Sequence, residues 1–146
     1  MKQVTLYTDG YCKPNPGRGG WAAILLFGKA EKELSGAEAK TTNNRMELTA
    51  AIKGLSALSE ACQITIYTDS EYLRQGVTEW MEKWKTHGWK TTGKTAVKNR
   101  DLWVQIDELS QLHQISWHWV KGHSGNKYNE RCDLLAALAS TTLPPQ

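Results

Sequence analysis

Apolar and polar positions alternate roughly through Val4-Thr5-Leu6-Tyr7-Thr8, the period of a half-buried strand built from β-branched and aromatic residues. A Gly/Pro/Asn-rich stretch from Gly10 to Gly20 separates this run from a second one, Trp21 to Phe27, so the two predict an antiparallel pair joined by a turn. A third, weaker strand is expected within Lys32 to Glu38, after a turn at Gly28. The period then changes. Leu48, Ile52, Leu55 and Leu58 recur at helical spacing, and Thr42-Asn43-Asn44 supplies N-cap candidates just before them. Gln63 to Thr68 returns to strand, with Ile64 and Ile66 as its apolar positions, and Ser70 can cap a short helix over Glu71 to Gly76. Such a strand, helix, strand order favours a right-handed crossover that lays the Ile64 strand parallel to a member of the first sheet. Leu102, Ile106 and Leu109 mark one side of a helix from about Asn99 to Leu112. A strand at Ile115 to Val120, a glycine-bracketed loop Gly122-His123-Ser124-Gly125 and a helix around Glu130 to Ala139 follow, stopped by Pro144-Pro145. The expected fold class is α/β, with a mixed five-stranded sheet and four or five helices.

Length and composition narrow the picture. With 146 residues and 40% hydrophobic content, the chain can bury one sizeable core and is expected to be one domain. No apolar stretch approaches a membrane span, which predicts a soluble, cytoplasmic protein. Cys12, Cys62 and Cys132 are odd in number and widely spread, which argues against a disulfide framework and against a structural zinc site. The net charge of +3 hides a local patch: Lys83, Lys85, Lys90, Lys94, Lys98 and Arg100 occur in one stretch with no acid, while the remaining 12 basic residues face 15 acidic ones.

Two carboxylates occupy matching contexts. Asp9 is expected at the end of the first strand, before Gly10, and Asp69 at the end of the fourth, before Ser70. If those strands are parallel neighbours, both acids face one cleft at the carboxyl ends of the sheet, where open α/β sheets bind ligands. Like charges that close repel and call for a cation between them. Alone, each is an ordinary turn or cap residue. Glu47 borders the buried side of its helix near the N-terminus, where an acid also suits the helix dipole. Asp133, in the last helix, reads by itself as a solvated acid, and His123 as a surface histidine whose near-neutral pKa suits proton transfer.

In order along nearly the whole chain, Thr8-Asp9-Gly10, Thr41-Thr42-Asn43-Asn44-Arg45-Met46-Glu47, Thr68-Asp69-Ser70, Trp119-Val120-Lys121-Gly122-His123 and Asn129-Glu130-Arg131-Cys132-Asp133 resemble type I ribonuclease H, especially its bacterial form. The resemblance implies a ribonuclease H-like fold, with three antiparallel strands and then two parallel ones, in a single domain over residues 1–146 that carries a basic protrusion at about 80–100. It also implies an endonuclease that hydrolyses the RNA strand of RNA–DNA hybrids by two-metal-ion catalysis and leaves 5′-phosphate and 3′-hydroxyl ends. Asp9, Glu47, Asp69 and Asp133 are then the ligands of two Mg2+ ions, with Mn2+ able to substitute, and His123 assists proton transfer or product release. Hard divalent cations choose oxygen ligands, and two of them about 3.5–4 Å apart suit phosphodiester hydrolysis.

By the same resemblance Cys12, Asn15, Asn43, Asn44 and Glu71 border the groove where the RNA 2′-hydroxyl is read. Trp80, Lys83, Trp84, Lys85, Trp89, Lys90 and Lys94 fall in the protrusion that grips the DNA strand, although tryptophans there also suit local packing. The implied partner is the hybrid alone, bound by a monomer with no membrane and no obligate protein partner. The chain departs from the family pattern at Lys13-Pro14, ahead of Asn15-Pro16-Gly17, and at Glu71, where relatives often carry glutamine. Two rival readings are another nuclease of this fold, such as a transposase or junction resolvase, and a catalytically dead binder of hybrids. Against the first stand the Asn43-Asn44 pair and the tryptophan-lysine segment; against the second stands clustered negative charge, which a pure binder of phosphates does not need.

Overall fold

In the computed structural model, residues 1–91, 93, 95–120 and 126–143 are described; His123, Lys94 and Pro144-Pro145 lie outside the described residues. Strands β1 (Lys2–Cys12), β2 (Gly17–Phe27) and β3 (Ala30–Thr41) form an antiparallel meander, and helix α1 (Asn43–Ser56) leads to β4 (Cys62–Thr68). A helical segment follows, comprising α2 (Glu71–Gln75), a π-helical turn (Gly76–Trp80) and α3 (Met81–Thr86). The chain continues through α4 (Arg100–Leu112), β5 (Gln114–Trp119) and α5 (Lys127–Ser140). The sheet order is β3-β2-β1-β4-β5, with β1 parallel to β4 and β4 parallel to β5. This is the mixed five-stranded sheet the sequence predicts.

Alternation along the central strands divides the core between two faces. Val4 and Leu6 of β1 meet Leu55 of α1, while Tyr7 packs with Cys132 and Ala136 of α5. A further cluster joins Leu48 and Ile52 of α1 to Leu73, Met81, Trp103 and Ile106. No helix among the described residues is long and apolar enough to cross a membrane.

Three expectations need correction. The stretch from Gly10 to Gly20 is mostly strand, because β1 runs to Cys12 and β2 starts at Gly17. Gly10 and Gly20 in it admit helices: a Cβ on Gly20 would sit 2.1 Å from the Ala136 carbonyl oxygen of α5. Gly76 does not end the short helix either. A Cβ there would lie 1.8 Å from the Trp103 ring, so this glycine makes room for a side chain of α4, and helical structure runs on to Thr86. Finally, the last helix starts at Lys127, where the Asn126 side chain accepts from the Tyr128 and Asn129 amides.

Candidate active site

Asp9 does not end its strand. Antiparallel pairing with β2 carries β1 past it, with Asp9 opposite Ala22 and Gly10 opposite Trp21. The parallel ladder with β4 stops earlier, at Tyr7 opposite Tyr67, and β4 itself ends at Thr68. Extending that register by two residues brings Asp9 level with Asp69. The two acids therefore meet as expected, but because the ladder ends there and not the strand.

Glu47 arrives from α1. Thr42 is the N-cap, its hydroxyl accepting from the Arg45 amide at 3.2 Å, so Asn43 and Asn44 are first-turn residues and not caps. The helix start rests on Gly10, where an added Cβ would lie 2.5 Å from the Glu47 backbone nitrogen. Only a glycine permits that approach. As a result Asp9, Glu47 and Asp69 each present a carboxylate oxygen, and all these atoms lie within 4.8 Å of one another. Asp133 stands outside that triangle but lines the same cleft, together with Thr8, Asp9, Asp69, Asn129 and Glu130.

Electrostatics make the cluster unusual. Burial, then the neighbouring Asp69 and Asp133 charges, push Asp9 up to about 8, against a partly compensating Gly10 amide that donates to Oδ1 at 2.9 Å. Burial, with Asp9 and Asp69 beside it, likewise holds Glu47 well above the usual carboxylate range. Glu47 Oε2 is buried with no hydrogen-bond partner among the described residues. Orphaned acid oxygens facing like charges fit a divalent cation, which satisfies the acceptors and cancels the repulsion.

The remaining predicted residues surround this cluster unequally. Asn15 Oδ1 accepts from the Asn43 amide at 3.1 Å, docking the Lys13–Pro16 turn on the α1 N-terminus beside Asn44. The Cys12 thiol is buried, with the carbonyls of Pro14 and Thr41 both within its hydrogen-bonding reach, so it is engaged inside the protein. Glu71, two residues after Asp69, is exposed and sits 3.7 Å from the Arg74 guanidinium. Trp80, Trp84 and Trp89 form a row of ring contacts, with centroids 5.6 and 6.4 Å apart, and Trp84 also meets Trp103 of α4 at 5.4 Å. These tryptophans root the protrusion in the core.

Lys85 is not free of acids, contrary to a reading of its own segment: Asp107 of α4 lies 3.1 Å away. Lys83 and Lys90 form no ion pair among the described residues. Two contributors escaped sequence reading although both stand in quoted motifs. Arg45 makes a forked contact with Asp101, at 3.0 and 2.7 Å, that ties α1 to α4, and Asn129 lines the acidic cleft. For Asn129 the available signal was its spacing, one helical turn before Asp133.

Comparison with known proteins agrees with this architecture. The RNase H family model matches residues 1–141. A ribonuclease H of Cupriavidus necator is 57% identical over 136 residues, covering 93% of this chain and 94% of that one. Another, from Hahella chejuensis, is 59% identical over 138 residues, covering 94% and 93%. Among solved structures, LC9-RNase H1, a type 1 RNase H with the type 2 active-site motif, matches with a TM-score of 0.88 at 27% identity, covering 99% of this chain and 74% of that chain. Fold and relatives together define a ribonuclease. The chain belongs to the ribonuclease H family, whose members are endoribonucleases.

Proposed function

We propose that the protein hydrolyses the RNA strand of RNA–DNA hybrids at the Asp9 cleft, using two divalent cations, Mg2+ with Mn2+ as a substitute, and leaving 5′-phosphate and 3′-hydroxyl ends. The observation that carries this reading is the triangle of carboxylate oxygens within 4.8 Å, two of its three acids being buried. Two divalent ions bound together can activate a water on one side of a phosphodiester and neutralise the leaving oxygen on the other.

Asp9 is common to both groupings, since its carboxylate lies within 4.8 Å of those of Glu47 and Asp69 and it lines the cleft with Asp69 and Asp133. Glu47, Asp69 and Asp133 would hold the cations together with it. Their fixed placement on a sheet and two helices orients the scissile phosphate without rearrangement. His123, by its motif, would carry a proton to or from the leaving group. Asn15, Asn43, Asn44 and Glu71 flank the α1 and α2 starts, where hydrogen bonds to 2′-hydroxyls would select RNA. Lys83 and Lys90 would contact DNA phosphates, with the tryptophan row as their support.

A labelled hybrid, duplex RNA and duplex DNA, each with and without Mg2+, test the proposal together with Asp69→Asn. Cleavage confined to the RNA strand of the hybrid is expected, requiring metal and absent in Asp69→Asn while hybrid binding persists. Undiminished cutting in EDTA or in that variant would overturn it.

A further inference from the structure

Asn129 Oδ1 is buried and has no hydrogen-bond partner among the described residues. Position explains why that is notable. Asn126 is the N-cap of α5, which puts Asn129 at the third helical position, where a Glu or Gln side chain would reach back to the N-cap amide. Here no such bond forms among the described residues: the Asn129 backbone amide donates to Asn126 Oδ1 at 3.2 Å, and its own side-chain oxygen accepts from none of them. Asn129 and Asp133 are four positions apart, so the two share one face of α5, and both line the cleft with Asp9 and Asp69. Thr8 Oγ1, in the same lining, is a second buried oxygen without a partner among the described residues. An unpaired buried amide oxygen is costly unless something donates to it. Once the acids of the cleft are ionised they only accept, and the chemistry that then fits Asn129 Oδ1 is a cation or a water ordered by one.

We infer that Asn129 supplies a neutral oxygen to the divalent-cation site on its Asp133 side, either directly or through one water. This rests on the reading of the Asp9 cleft as a metal site. It makes the cation near Asp133 the one governed by a neutral donor, whereas Glu47 and Asp69 act by charge. A neutral oxygen holds a cation more weakly than a carboxylate does.

The test is Mg2+ and Mn2+ binding to the intact, substrate-free protein by calorimetry, alongside the metal dependence of hybrid cleavage. Asn129→Ala is expected to weaken cation affinity about tenfold, the scale for losing a supporting contact at a metal site. It should raise the Mg2+ concentration for half-maximal cleavage by a similar factor. Asn129→Asp, nearly isosteric, should bind the cation more tightly than the parent and slow turnover. Unaltered affinity and metal dependence in Asn129→Ala, with circular dichroism showing a folded protein, would overturn the inference while Asp9→Asn still abolishes metal binding. Absence of metal binding by the parent protein would instead remove the underlying reading.

Discussion

At the residue scale the buried acids set the pH response. Burial and the neighbouring Asp69 and Asp133 charges push Asp9 from the ordinary 3.8 up to about 8 in the folded, metal-free protein, so between those values the native state holds a proton that the unfolded chain has released. Stability contributed by this group therefore falls as pH rises through that window. His113 acts in the opposite sense. Its Nδ1 accepts from the buried Cys62 amide at 3.0 Å, and burial lowers its pKa below the ordinary 6.5, so it withdraws stability as pH falls below that value. Above pH 6.5 only the acid cluster should matter. In EDTA the Tm is expected to drop from pH 6.5 to pH 8, and the Tm gain on adding Mg2+ should grow over the same interval, because cations and protons compete for the same oxygens. Thermal unfolding at several pH values checks both trends. Asp9→Asn should flatten the pH dependence, raise the metal-free Tm and eliminate the Mg2+ effect.

At the element scale, glycines decide how closely helices approach. Gly76→Ala places a methyl in the Trp103 ring, which should destabilise the protein by about 1–3 kcal/mol, as overpacking does. Its measurable consequence is a lower denaturation midpoint with near-normal activity per folded molecule. Gly10→Ala acts differently: the methyl meets the backbone of Glu47, and α1 must retreat from β1. A shift on the order of 1 Å in a catalytic group can cost about a hundredfold in rate. Cleavage should therefore suffer far more than stability, and comparing kcat with Tm for the two variants separates the cases. Neither glycine declares its role locally. Gly76 follows a short helical pattern and Gly10 follows an aspartate, both ordinary signals for a stop or a turn, and only the partner elements reveal tight packing.

At the scale of the whole molecule, the helical arm from Glu71 to Thr86 leads into the basic stretch that starts at Lys83, and it is held to α4 by Trp84 against Trp103 and by Lys85 against Asp107. A substrate bridging this stretch and the acidic cleft would place its scissile phosphate at the acids and a second strand along Lys83 and Lys90. Replacing both lysines with alanine should raise KM for the hybrid and lower the slope of log affinity against log salt by about 1 to 2, near one per lost phosphate contact. Lys85→Ala should change the slope less and stability more, since its charge already serves Asp107. Equal slopes for parent and double variant would assign Lys83 and Lys90 to solvent.

Sequence alone determined much of this. Period-2 and helical apolar patterns located every strand and three of the longer helices, because those patterns follow from which face each element buries, a local property. Motif order grouped Asp9, Glu47, Asp69 and Asp133, of which the structure brings the carboxylate oxygens of the first three within 4.8 Å of one another and lines the same cleft with Asp133. Tertiary structure decided what depends on partners distant in sequence: that the parallel ladder, not the strand, ends before Asp9; that Gly10 lets Glu47 close the triangle; that Gly76 receives Trp103 and lets the helical arm continue. The same holds for the distribution of charge, since Lys85 loses its freedom to an acid 22 positions away. Burial of several acids in one place, with the raised pKa of Asp9 as its result, is a property of the assembled cleft and of no single stretch of chain.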